Sequence, residues 1–167
     1  FPLRFSPHTH AMREIQIVDA GELAAAYAKA DYAVRLDGDT FRLKVGSPAG
    51  DMEAYWPATR YAFITAWNPA SRPTSDTANQ SADSSLVAQL KAIGAPHQPA
   101  WAEDATGDWR EAGWLVAGLD PHMLDAMAHE FGQAAVLHWE PGRPVRLKMY
   151  LPRPLHVPPV PHIDWVE

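Results

Sequence analysis

Cysteine is absent from the 167-residue chain. Disulfides, thiolate metal sites and a cysteine nucleophile are excluded with it. Positive charge is scarce as well: 14 Lys and Arg stand against 20 Asp and Glu, for a formal net charge of −6. Broad binding to nucleic acid or to an anionic membrane rests on a basic surface, so neither is expected as a partner. No apolar run approaches the roughly 20 residues that a membrane-spanning helix needs. There is no phosphate-cradling glycine loop, no Gly-x-Ser-x-Gly elbow and no His-Glu-x-x-His pair, so no motif names a reaction. No cofactor and no metal are expected, and a reducing cytoplasm is the simplest compartment.

What is present fits a globular domain. Hydrophobic residues make up 47% of the chain and charged residues 20%, and the length suits one domain with a sizeable core. Residues 1–13 read as a flexible or processed segment, with Met12 as a plausible start. Residues 14–150 read as a single α+β domain, and 151–167 as an extended tail. His8 and His10, two apart in the opening segment, read as terminal residues rather than ligands.

The run Tyr61-Ala-Phe-Ile-Thr-Ala-Trp-Asn68 has the aromatic and β-branched content of a strand, with no charge on either face. It reads as the central strand, ended at Asn68 by Pro69. Upstream, Glu14 to Val18 alternates like a short strand. Asp19 and Glu22 have capping-box spacing for a helix. Asp37-Gly38 is a tight turn between the alternating runs 32–36 and 41–45, with Arg35, Arg42 and Lys44 on the outer face. A short helical turn is expected around Met52 to Trp56. Downstream, Thr74-Ser75-Asp76 is N-cap material for a helix whose stripe is Ala82, Leu86, Leu90 and Ile93, ended by Gly94. Residues 96–102 carry prolines and read as an edge strand. Gly113 to Leu119 is a second buried strand. Asp120-Pro121 opens a helix with Leu124, Met127, Ala128 and Phe131 inward. A hairpin across residues 140–143 follows.

From 61 to 139 the order is strand, helix, strand, strand, helix, strand, which is the split βαβ order of a ferredoxin-like sheet. Connectivity then gathers Asn68, Arg72, Asn79, Glu103, Asp104, Asp108, Arg110, Glu111 and Gln133 on one rim. Gly94, Leu119 and Asp120 fall on the opposite rim. An amide beside a carboxylate and an arginine can orient a polar substrate, and Glu111 is the one residue suited to act as a base. The same residues also suit plain loop closure; Asn79 in particular can satisfy the backbone of 68–73. His122, Asp125 and His129 read as a solvated helix face, and His138 as a structural strand residue. Trp67 and Trp114 read as core.

Tyr61-Ala-Phe-Ile-Thr-Ala-Trp-Asn-Pro69, Asn79 before a helix, Gly107-Asp-Trp-Arg-Glu111 and Phe131-Gly-Gln133 form an ordered set. As a set it resembles a small bacterial family known only as a domain of unknown function, over roughly residues 20–150. The resemblance implies a bacterial, cytoplasmic protein and the polar positions Asn68, Asn79, Glu111 and Gln133; it implies no activity. At Ala112-Gly113 the chain departs from the pattern, where a second polar residue is typical, so Glu111 has no catalytic helper beside it.

The tail carries prolines at 152, 154, 158, 159 and 161. It reads as an extended segment that straps across the domain or docks a partner. The C-terminal tail is thereby a route to a homodimer, and the basic run Arg143, Arg146, Lys148 and Arg153 complements the acidic loop 103–111 for self-association. Two functions remain open. One is a ligand- or partner-binding module, or a regulatory one, using Asn68, Arg72, Asn79, Arg110, Glu111 and Gln133. The other is a small hydrolase or transferase acting on a polar or nucleotide-like substrate at that rim.

Overall fold

The computed structural model describes residues 19–104, 106–107 and 109–166. The opening histidines, the strand expected at 14–18 and Asp108 lie outside those residues. Among the described residues four α-helices and eight strands follow in the order α1 (Ala20–Lys29), β1 (Asp31–Leu36), β2 (Asp39–Leu43), α2 (Gly50–Tyr55), β3 (Tyr61–Ile64), α3 (Asp76–Ala92), β4 (His97–Glu103), β5 (Arg110–Ala117), α4 (Pro121–Glu130), β6 (Ala135–Trp139), β7 (Arg146–Pro152) and β8 (Ile163–Val166). The fold is α+β, built on one eight-stranded sheet of order β2-β1-β4-β5-β3-β6-β7-β8. Every pairing is antiparallel except β7 with β8.

The helices begin and end where the side chains say they should. The Asp19 carboxylate accepts from the Glu22 N–H at 2.8 Å, and Ser75 and Asp120 cap α3 and α4 likewise. Asp37 and Gly38 both take positive φ, as the tight β1–β2 turn requires.

Three expectations are corrected. Where a ferredoxin-like antiparallel sheet is expected, the chain forms a larger mixed sheet, because the β1–β2 hairpin docks on β4 and the tail supplies β8. The segment at 96–102 is an inner strand, not an edge. Pro99 is tolerated because β1 pairs with β4 only as far as Ala100, so its missing N–H falls just beyond that ladder. Lastly, β3 stops at Ile64 and not at Asn68. The Thr65 hydroxyl donates to the Ala112 carbonyl at 2.6 Å and accepts from the Trp67 N–H at 3.0 Å, so a side chain replaces the ladder and turns the chain out of the sheet.

Alternation divides the core. Tyr61 and Phe63 of β3 face α1 and α2 together with Leu115, Leu137 and Leu147. Ala62 and Ile64 face α3 and α4, where Leu86, Leu90, Leu124 and Met127 cover them. Burying each such leucine is worth roughly 2 kcal/mol. Ile93, placed on the α3 stripe by spacing, is 42% exposed because the helix ends before it. The tail straps across the α1 face: His156 reaches the Asp19 carboxylate at 3.1 Å, and Trp165 packs half-buried on the core.

Gly113 is the tightest point of the sheet. A Cβ there would lie 2.8 Å from the Ile64 carbonyl oxygen and 2.9 Å from the Phe63 ring. Gly113→Ala is therefore expected to cost about 2 kcal/mol, as overpacking against backbone does. Urea unfolding checks it; an unchanged midpoint would show that the strands part freely.

Candidate functional site

The chain leaving β3 forms a loop that three distant segments hold. Asn68, Ala70 and Ser71 all sit in the left-handed region, with φ of 48°, 55° and 60°. Asn tolerates this; for Ala and Ser it costs about 1 kcal/mol or more each. The geometry persists because the surroundings over-determine it. The Ala70 N–H donates to the Gly132 carbonyl at 2.7 Å. A Cβ on Gly132, itself at φ +63°, would meet the Pro69 ring at 3.0 Å. The Phe131-Gly-Gln133 turn is thus shaped to the loop it supports.

Carboxamides complete the hold. The Asn68 N–H donates to Asn79 Oδ1 at 2.9 Å, and Asn79 Nδ2 donates back to Asn68 Oδ1 at 3.0 Å. Asn68 Oδ1 also accepts from the Thr74 N–H at 2.8 Å, while Asn68 Nδ2 donates to Glu111 Oε2 at 3.1 Å. From the other side Gln133 Nε2 donates to the Trp67 carbonyl at 3.0 Å. Asn68, Asn79, Glu111 and Gln133 are buried, with exposures of 2, 3, 0 and 5%. The structure brings these four together around one loop.

Arg72 and Arg110 do not join them. Arg72 is exposed on the loop, and Arg110 alternates to the other face of β5. There its guanidinium lies 4.0 Å from the centre of the Trp101 ring and 3.6 Å from Glu103 Oε1. The strand period of two separates Arg110 from Glu111. Asp104 accepts from the Thr106 hydroxyl within its own loop at 2.9 Å.

Two residues that the sequence does not single out belong here. Tyr27 of α1 hydrogen-bonds Ser71 through its hydroxyl, and the Tyr32 hydroxyl donates to the Tyr27 carbonyl at 2.6 Å. Burial, with the Glu111 carboxylate nearby, pushes both phenols up. The available signal was that a buried tyrosine must place its hydroxyl on a partner. Glu111 itself is pushed up to about 7 by burial, with hydrogen bonding from Asn68 and Trp109 pulling the other way. This carboxyl therefore holds its proton to higher pH than an ordinary glutamate and, when protonated, can donate as well as accept a hydrogen bond.

The remaining candidates resolve as structure. Asp125 is not on a solvated face: it takes Lys148 at 2.7 Å and the Tyr150 hydroxyl at 2.6 Å, and His129 meets the Tyr150 ring edge-on. His138 bonds Asp164 at 2.9 Å. The Trp114 indole donates to Asp83 at 2.8 Å. Gly94, Leu119 and Asp120 do share the opposite rim, around one shallow cavity. No helix among the described residues is long and apolar enough to cross a membrane, and no metal-holding group of acidic or imidazole side chains occurs among them.

No curated protein and no solved structure matches the chain. The family match is shorter than the stretch from 20 to 150 that the resemblance suggested, yet it contains all four carboxamide and carboxylate residues that hold the loop. Residues 64–136 match the model of a family described as "Protein of unknown function (DUF3293)".

Proposed function

We propose that the chain is a binding or regulatory module that captures a polar ligand or partner segment at the loop 67–72, with Glu111 as its central group. The observation that carries this reading is the position of Glu111: fully buried, close to neutrality, and hydrogen-bonded beneath a loop held in left-handed backbone. A buried carboxyl is costly to a fold and strained backbone adds to that cost; where the two coincide, function is the favoured explanation. A ligand carrying an amide or a similar donor–acceptor pair would replace the Asn68 carboxamide at Glu111, and the exposed Arg72 on the same loop suits an anionic end. The four inner strands, β4-β5-β3-β6, with α3 and α4 on one face, read as a ferredoxin-like split βαβ unit that sets this rim.

The test is a thermal-shift screen of nucleotides and polar metabolites against the chain and its Glu111→Gln variant, each against its own baseline. A compound that raises the melting temperature of the first and not of the second is the expected result. A hit equally strong on both would remove Glu111 from the site. The near-neutral carboxyl also favours a second reading, a hydrolase or transferase with Glu111 as general acid–base. Under that reading the hit is consumed over time by the parent chain and left intact by Glu111→Gln.

A further inference from the structure

At the other end of β3 from the Asn68 loop, the structure holds a cavity of about 300 Å³ between the start of α4 and the sheet. Leu119, Pro121 and Leu124 form its apolar wall. Its polar lining is rich in cations: Arg60, Arg143, Arg146 and Lys148, with Asp125 and Glu140 as the acids. On a chain of net charge −6 this is a local reversal.

The four cations are not equivalent. Arg146 is committed to Asp164 through two bonds of 2.9 and 2.7 Å, and Lys148 to Asp125 at 2.7 and 2.9 Å. Those pairs fix the floor. Arg60 and Arg143 have no ion pair among the described residues and converge on the same cavity from two separate connections. Guanidinium groups present paired donors whose spacing fits the two oxygens of a carboxylate or phosphate. The volume is at the lower end of small-molecule pockets.

We propose that this cavity is a binding site for a small oxyanion, a phosphate or carboxylate borne on a compact apolar body, with Arg60 and Arg143 as its clamp. The anion sits between the two guanidiniums while the body packs on Leu119, Pro121 and Leu124. Most of the lining falls outside residues 64–136, so the site is separate from the loop at Asn68 and does not depend on the function assigned there.

The experiment is an amide NMR titration of the full chain with phenyl phosphate, with benzoate and phenol in parallel. Saturable shifts at residues 138–140, with a Kd of about 1 mM or tighter, are expected. Arg60→Gln and Arg143→Gln should each weaken binding by about ten-fold, as loss of one charge-assisted contact does, while Arg42→Gln on the far edge strand should leave it unchanged. Benzoate binding as well as phenyl phosphate would assign the site to oxyanions in general; a preference for phenyl phosphate would assign it to phosphate esters. Absence of saturation overturns the proposal, as does phenol binding equally well, an equal loss in Arg42→Gln, or shifts confined to residues 68–72. Should Arg60→Gln, whose side chain is half-buried, disturb the fold, the exposed Arg143 position still decides.

Discussion

Asn68→Ala is expected to lower stability by about 4 kcal/mol, read from the urea midpoint with the slope unchanged. Removing the carboxamide strips an acceptor from the Thr74 N–H and from Asn79 Nδ2, and a donor from Glu111. Each buried group left without a partner costs roughly 1–3 kcal/mol. The backbone adds to this: residue 68 sits at φ 48°, where alanine is worse than asparagine by about 1 kcal/mol. Asn68→Gly separates the two contributions. It loses the same hydrogen bonds but accepts the left-handed backbone, so it should recover about 1 kcal/mol relative to Ala. If Ala and Gly prove equal and both cost under about 1 kcal/mol, the loop is not held by this carboxamide.

The convergence around that loop was legible because it follows from connectivity. Asn68 leaves a strand, Asn79 opens the next helix, Glu111 begins the paired strand, and Gln133 closes the last helix. Any antiparallel arrangement of those elements puts the four at one rim. What was hidden depended on side chains acting against their local pattern. Thr65 fits the strand alternation perfectly, yet its hydroxyl takes the Ala112 carbonyl and ends β3 early. Pro99 forbids one N–H···O bond and so argues for an edge; register alone reveals that β1 stops short of it. Connectivity brings Arg110 to the same rim as Glu111 but does not say which face it takes, and adjacent strand residues face opposite ways. Tyr27 reads as an ordinary core residue of α1, and its bond to Ser71, 44 residues away, has no sequence signature. The cationic cavity was visible only as a basic run from Arg143 to Arg153. Its other half, Arg60, comes from a connection 83 residues earlier than Arg143.

Glu111→Gln should abolish a pH dependence of stability worth about 3 kcal/mol. The folded carboxyl titrates at about 7 against an ordinary value of 4.5. Below pH 4.5 both folded and unfolded chains hold the proton and the group makes no difference. Between 4.5 and 7 the unfolded chain releases it while the folded chain keeps it, so stability falls as pH rises, and it levels off above about 7. A separation near 2.5 units at 1.36 kcal/mol per unit gives the total of about 3 kcal/mol. The carboxylates held low by their partners, Asp125 by Lys148 and Tyr150, and Asp164 by Arg146 and His138, exert their opposite slope below 3.8 and do not overlap this window. Tyr27 and Tyr32, the phenols that feel the Glu111 charge, are pushed upward and remain neutral throughout. Urea unfolding at pH 4.5, 6 and 8 therefore should show a decline in the parent chain and a flatter line in Glu111→Gln, with the variant the more stable of the two at pH 8. Identical slopes would mean that Glu111 titrates as an ordinary carboxyl. A flatter variant line, by contrast, would measure the stability forgone by keeping a carboxyl where an amide fits, a sacrifice that loop closure alone does not require and that ligand capture or proton transfer at this loop does.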